Sequence, residues 1–154
     1  MTPGHRLATI VRGVLVFAAI APFLPTLLHG IPVLDGFGGL LDAWFALQCE
    51  RDPARGFSGL AVCARCLGIY LGLGLGALIA RPSSRLGWLQ LWIALAAALL
   101  LLDTLTEARG LRPASSPLRV LTGLLFAYPI GLVVARALMS RSLRPAADPP
   151  GQPR

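Results

Sequence analysis

The sequence predicts an all-α integral membrane protein, folded as a four-helix transmembrane bundle in a single domain. Three observations carry that expectation. Hydrophobic residues make up 55% of the 154-residue chain and charged residues only 14%, with a mean hydropathy of +0.70, a balance outside the range of soluble domains. Apolar stretches of about 20 residues recur, each long enough to cross a hydrocarbon core of about 30 Å. The basic side chains, all arginine, stand at the ends of those stretches instead of along one face. Membrane topology asks for that placement and a phosphate-tracking surface does not, so the net charge of +7 is not read as nucleic-acid binding.

The first expected span covers residues 13–34, with Pro22 and Pro25 as kinks that a membrane helix tolerates. Arg6 and Arg12 before an apolar run also suit a secretory signal. The run is long and proline-broken, however, and no small-x-small cleavage site follows it, so an uncleaved helix is expected. Next, DGFGGLLDAWFALQC aligns Leu40, Leu41, Trp44, Phe45 and Leu47 as the apolar stripe of a short helix. That helix lies either in the membrane interface or over the bundle mouth.

The second span, residues 60–80, opens on cysteines and Arg65. Within it Gly68, Gly72 and Gly76 share a helix face along which another backbone can approach closely. Packing inside the bundle is the first expectation there, and a homo-oligomer seam the second. The third span, residues 86–106, is the most uniformly apolar, and the fourth covers residues 118–139. Trp88, Trp92 and Tyr128 read as interface anchors or packing. Residues 1–140 form the membrane domain, and the proline-rich residues 141–154 read as a disordered cytoplasmic tail.

Charge then orients the chain. Arg6, Arg12, Arg81, Arg85, Arg136, Arg141, Arg144 and Arg154 share one side with a single acid, Asp148; the other six arginines share theirs with six acids. The positive-inside rule puts both termini in the cytoplasm of a bacterial inner membrane and the cysteines at its extracytoplasmic face.

That face gathers Cys49, Glu50, Cys63, Arg65, Cys66, Asp103, Glu107, Arg109, Arg112 and Arg119. Charges at membrane depth face a partner or the bundle interior, so Asp103–Arg119 or Glu107–Arg112 is expected as a closing ion pair. Cys63 and Cys66 share a helix face, with Tyr70 one turn below Cys66. Three chemistries fit the thiols. One is a zinc or other transition-metal centre of Cys49, Cys63 and Cys66, with Glu50, Asp103 or His29 as fourth ligand. Another is a redox pair whose thiol is acidified by the helix N-terminus and Arg65. The last is a structural disulfide from Cys49 to Cys63 or Cys66.

At the level of function, metal binding leads. The alternatives are an outer-leaflet enzyme and a non-catalytic, disulfide-stabilised scaffold. In the enzyme reading Arg55, Arg65, Arg112 and Arg119 hold an anionic or phosphorylated lipid-like group, while Asp103 or Glu50 handles a proton. Membrane lipids are the expected partners in every case. His5 and His29 read as incidental. No nucleotide-binding glycine loop, hydrolase triad or internal repeat is present.

Three stretches, CERDPARGF, VCARCLGIYLG and DTLTEARGLRPASSPLRVLTG, together resemble a family of small prokaryotic membrane proteins catalogued as domain of unknown function 2085. The resemblance implies Cys49, Pro53, Arg55, Phe57, Cys63, Arg65, Cys66, Gly68, Tyr70, Gly72, Asp103, Arg112, Arg119, Thr122 and Gly123 as the family's positions. It implies no activity. The chain departs from the pattern at Glu50 for histidine, Arg51 for glutamine, Leu67 for threonine, Thr104 for glycine, Glu107 for glutamine and Ser116 for asparagine. At Glu50 the change substitutes a carboxylate oxygen for an imidazole nitrogen. That shifts the preference of any metal site, or demands a raised pKa of any general base.

Overall fold

The computed structural model describes residues 3–49, 57, 60–80, 86–113 and 115–142. The expectations placed on Glu50, Arg51, Arg55, Arg81, Arg85 and residues 143–154 lie outside the described residues. The described elements are α1 (Pro3–Ile20), a 3-10 turn (Ala21–Phe23), α2 (Leu24–Leu28), α3 (Asp35–Gln48), α4 (Ala64–Ile79), α5 (Leu86–Ala108) and α6 (Ser116–Ser142).

Proline sets the break between α1 and α2. Pro22 and Pro25 each fall at the first positions of a new turn, where a missing N–H costs nothing, and both are buried. The apolar segment continues through the break, from Arg6 to Leu28. Pro129 lies inside α6, also buried; a helix in hydrocarbon accommodates it where neighbours cover the freed carbonyl.

Three helical segments among the described residues are long and apolar enough to cross a membrane: Arg6–Leu28, Gly87–Ala108 and Ser116–Met139. The expected four-span bundle is therefore corrected, because the segment at 60–80 falls short. Its first residues are not helical, and Cys63 is extended (φ −67°, ψ 159°), so α4 begins only at Ala64. It ends at Ile79, with Ala80 already out of helical conformation, two residues before Pro82. Sixteen residues rise about 24 Å, against about 30 Å of hydrocarbon.

What α4 lacks in length it makes up in contact. It packs against α6 on one side and α1 on another. Gly68, Gly72 and Gly76 are seated against the α6 backbone at Val120, Leu124 and Tyr128 in turn, so α4 and α6 run parallel. From the other helix, Gly123 and Gly131 meet the carbonyls of Arg65 and Leu73. A side chain at any of these positions would hold the two backbones apart. Gly74 faces Leu15 and Ala19 of α1, and Arg12, earlier in α1, bonds the Leu78 carbonyl, later in α4, so α1 and α4 run antiparallel.

α5 packs on α6, with the Trp92 and Tyr128 rings 5.9 Å apart. Much of its remaining surface is apolar and exposed, Leu91, Leu95, Leu101 and Leu102 among it. This topology brings the C-terminal end of α5 and the N-terminal ends of α4 and α6 to one end of the molecule.

α3 splits its expected stripe. Phe45 and Leu41 turn inward onto Ala21, Ala61, Val62 and Leu67, while Phe37, Leu40, Trp44 and Leu47 are exposed. Packing over the mouth and an outward apolar face thus coexist on one helix.

Candidate metal centre

The three cysteines come from two helix ends. Cys49 caps the C-terminus of α3 in extended conformation (φ −143°, ψ 123°), its N–H bonded to the Phe45 carbonyl at 3.1 Å. Cys63 occupies the N-cap of α4, and Cys66 lies in the first turn. This arrangement draws the three Sγ atoms within 4.8 Å of one another. None of the three is in a disulfide, and all are part-buried. The expected disulfide between Cys49 and Cys63 or Cys66 is thereby corrected, since a bond requires a separation of about 2.05 Å.

Electrostatics set one thiol apart. A hydrogen bond from Cys66, working against desolvation, brings the Cys63 thiol down to about 5; the amides of Cys66 and Arg65 at the helix N-terminus add to the effect. Of the trio, Cys63 is therefore the thiol that ionises first. Burial pushes Cys49 the other way.

Soft, closely grouped sulfur donors suit zinc and other thiophilic ions. Three sulfurs at about 2.3 Å from a tetrahedral zinc stand about 3.8 Å apart, so closure on the ion asks for a contraction of about 1 Å or less. Two of the other candidate ligands, His29 and Asp103, belong to separate clusters. The His29 Nδ1 lies 2.9 Å from Asp35 Oδ1 and its Nε2 3.7 Å from Asp42 Oδ2, in an exposed cluster of their own. Asp103 belongs to a second, distinct cluster of arginines and acids.

Asp103 and Glu107 stand four apart on α5 and so present their carboxylates on one face. Arg65 of α4 reaches both, with its Nη2 2.9 Å from Asp103 Oδ2 and 3.4 Å from Glu107 Oε2. Arg112 returns to Asp103 through a turn at Gly110, whose φ of 67° favours a residue without a Cβ. Arg119 holds Glu107 with two parallel bonds, the Nε donating at 2.8 Å and Nη2 to the other oxygen. Thr122 donates to Asp103 Oδ2 at 3.3 Å. The partners are thus exchanged relative to the expected Asp103–Arg119 and Glu107–Arg112 pairs.

The interior of this cluster is nearly dry: Asp103 is 6% and Arg119 2% exposed. Among the described residues, three guanidiniums against two carboxylates leave one net positive charge. Two buried donors, Arg65 Nε and Arg119 Nη1, have no hydrogen-bond partner among the described residues. Leaving such a donor unsatisfied costs about 1–3 kcal/mol. Sequence reasoning missed the support for Tyr70, which packs edge-on against Phe45 at 5.7 Å and donates to Gln48 beside Cys49. The available signal was the polar Gln48 ending an otherwise apolar helix.

The profile of the family described as "Predicted membrane protein (DUF2085)" matches residues 49–133. The chain belongs to this family. Uncharacterized protein MJ1492 of Methanocaldococcus jannaschii is 32% identical over 98 residues, which are 58% of this chain and 63% of that protein. The chain thus spans less than two thirds of that relative's length. No solved structure matches. In this DUF2085 protein the matched segment starts at Cys49, so both clusters, α4 and α5 fall within it, and α1 and α2 precede it.

Proposed function

We propose that this DUF2085 membrane protein holds a transition-metal ion, zinc before others, through Cys49, Cys63 and Cys66. The observation that carries the reading is the approach of three sulfurs, none in a disulfide, to within 4.8 Å of one another. One sulfur comes from the end of α3 and two from the start of α4, so an ion there ties the connection between these helices to the bundle. Three protein ligands leave a fourth position open for chemistry; Glu50, next to Cys49 in sequence, is the residue we assign to it, and with it the centre is closed. The surplus of arginine over acid on the opposite side of the expected topology supports an extracytoplasmic location for the thiols.

The test is the metal content of protein carrying a non-histidine tag and purified without chelator, compared with Cys66→Ser and Cys49→Ser. About one equivalent in the native protein, lost from both variants, is expected. Equally low content in all three sinks the reading. Treating intact spheroplasts with a membrane-impermeant maleimide, after metal removal, tests the location; no labelling of any cysteine overturns it.

A further inference from the structure

We infer that the arginine cluster and the adjoining α5–α6 groove form a binding site for one anionic phospholipid. Arg65, Arg112 and Arg119 take the phosphate, and an acyl chain lies in the groove. Two independent features point to this ligand. At the polar end, the ion-pair cluster keeps, among the described residues, a net positive charge and two buried guanidinium donors without acceptors, one of them on Arg119, which is 2% exposed. Buried donors in native proteins are satisfied, and an exception calls for a partner. Phosphate supplies negative charge and several acceptor oxygens in the geometry that guanidinium groups prefer. Arg65 and Arg112 keep about a quarter of their side-chain surface exposed (23% and 26%), which gives an anion an approach. Arg109, on the same turn, is exposed as well.

At the apolar end, a groove of about 270 Å³ runs along α5, lined by Trp88, Leu91, Trp92, Leu95, Leu99 and, from α6, Leu125. It begins about 6 Å along the helix from Asp103, at Leu99, passes Trp92 at about 17 Å and ends at Trp88, about 23 Å away. One leaflet of a hydrocarbon core is about 15 Å, so the stretch from Leu99 to Trp92 lies at the depth of an acyl chain whose head sits at Asp103. A second copy of this protein fits the groove less well. The acids of α5 are Asp103 and Glu107, both already held by arginines, so a neighbouring α5 brings apolar surface but no free anion.

The site uses no cysteine, and metal-free protein serves equally in its test. Full-length protein in non-ionic detergent is titrated with dioleoyl phosphatidylglycerol, dioleoyl phosphatidylcholine or inorganic phosphate, and bound lipid is counted by native mass spectrometry. One phosphatidylglycerol is expected to be retained, about tenfold more tightly than phosphatidylcholine, a difference of about 1.4 kcal/mol. Arg112→Gln weakens it about tenfold, and Leu95→Trp, which fills the exposed groove, also weakens it while leaving the fold intact by circular dichroism. Equal retention of the two lipids overturns the site, as does affinity unchanged in both variants. Inorganic phosphate competing as effectively as the lipid overturns the groove's part in it. A lipid-free dimer that Leu95→Trp dissociates assigns the groove to a second copy instead.

Discussion

Gly72→Ala tests how the short α4 is held. A Cβ built at Gly72 stands 2.6 Å from the Leu124 carbonyl oxygen, 2.9 Å from the Tyr128 amide nitrogen and 3.0 Å from Ala127 Cβ. The first two are backbone atoms, so no rotamer change relieves them; α6 must move as a unit. The gap between 2.6 Å and an ordinary contact of 3.4 Å is about 0.8 Å. Overpacking of this kind costs about 1–3 kcal/mol, and the better helix propensity of alanine returns up to about 1 kcal/mol. A net loss of about 1–2 kcal/mol is expected. Gly87→Ala is the control, because nothing lies within 4 Å of its Cβ; it should be neutral or slightly stabilising. Unfolding in mixed micelles by increasing SDS fraction, followed by circular dichroism, reads the difference. A Gly72→Ala protein as stable as Gly87→Ala refutes the close-packed seam. Gly68→Ala, which meets Val120 beside Arg119, should lower stability too and loosen the arginine–acid cluster with it.

Other predictions follow from the charged groups. Glu107→Gln leaves Arg119, with a side chain 3% exposed, without its carboxylate and should cost about 3 kcal/mol, whereas Glu107→Leu combined with Arg119→Met should cost less than the sum of the two single changes. Additive losses in a double-mutant cycle contradict the pairing. In metal-stripped protein, alkylation of Cys63 should stay fast from neutral pH down toward about 5, because the thiolate persists; a rate rising only near the ordinary value of 9.0 contradicts it. Since the folded value lies below the unfolded one, the stability that this thiolate contributes is fully present above 9.0 and fades as pH falls to about 5. His29, raised above 6.5 by its hydrogen bond to Asp35, should titrate above 6.5 by NMR and drop in Asp35→Asn. Its contribution runs the opposite way, complete below 6.5 and lost as pH rises through the folded value; an unchanged midpoint in Asp35→Asn removes the cause.

The membrane class was legible because hydropathy is a property of composition, and the Arg6–Leu28, Gly87–Ala108 and Ser116–Met139 segments are long enough to register on their own. The 60–80 segment misled for a local reason. Its apolar residues at 60–63 look like more helix, yet the chain is extended at Cys63, which takes the N-cap. The cysteine trio was legible in outline, since Cys63 and Cys66 lie one turn apart and Cys49 ends a short helix. Whether the sulfurs bond or merely gather is decided by backbone conformation, which spacing does not contain. The ion pairs were legible as a set and not as partners. Four-residue spacing puts Asp103 and Glu107 on one face, but Arg65 enters from α4 and reaches both, leaving Arg112 on the other Asp103 oxygen and sharing Glu107 Oε2 with Arg119. The glycine strip announced a close approach; that α6 supplies the approaching backbone depends on topology.

That topology also imposes an order of assembly. Parallel neighbours such as α4 and α6 meet only after the intervening α5 has crossed to the far end, so their seam is a late, long-range contact in a chain made from its N-terminus. The three thiols and the Leu67 and Tyr70 contacts that support them all precede α5 and α6 in the chain. Cys49, Cys63 and Cys66 can gather while α5 and α6 are still being synthesised, before Arg65 has met Asp103. A nascent chain therefore offers three open thiols with their guanidinium neighbours not yet assembled. Capture of an ion at that stage would fix the start of α4 and present a preformed glycine face for α6 to close upon.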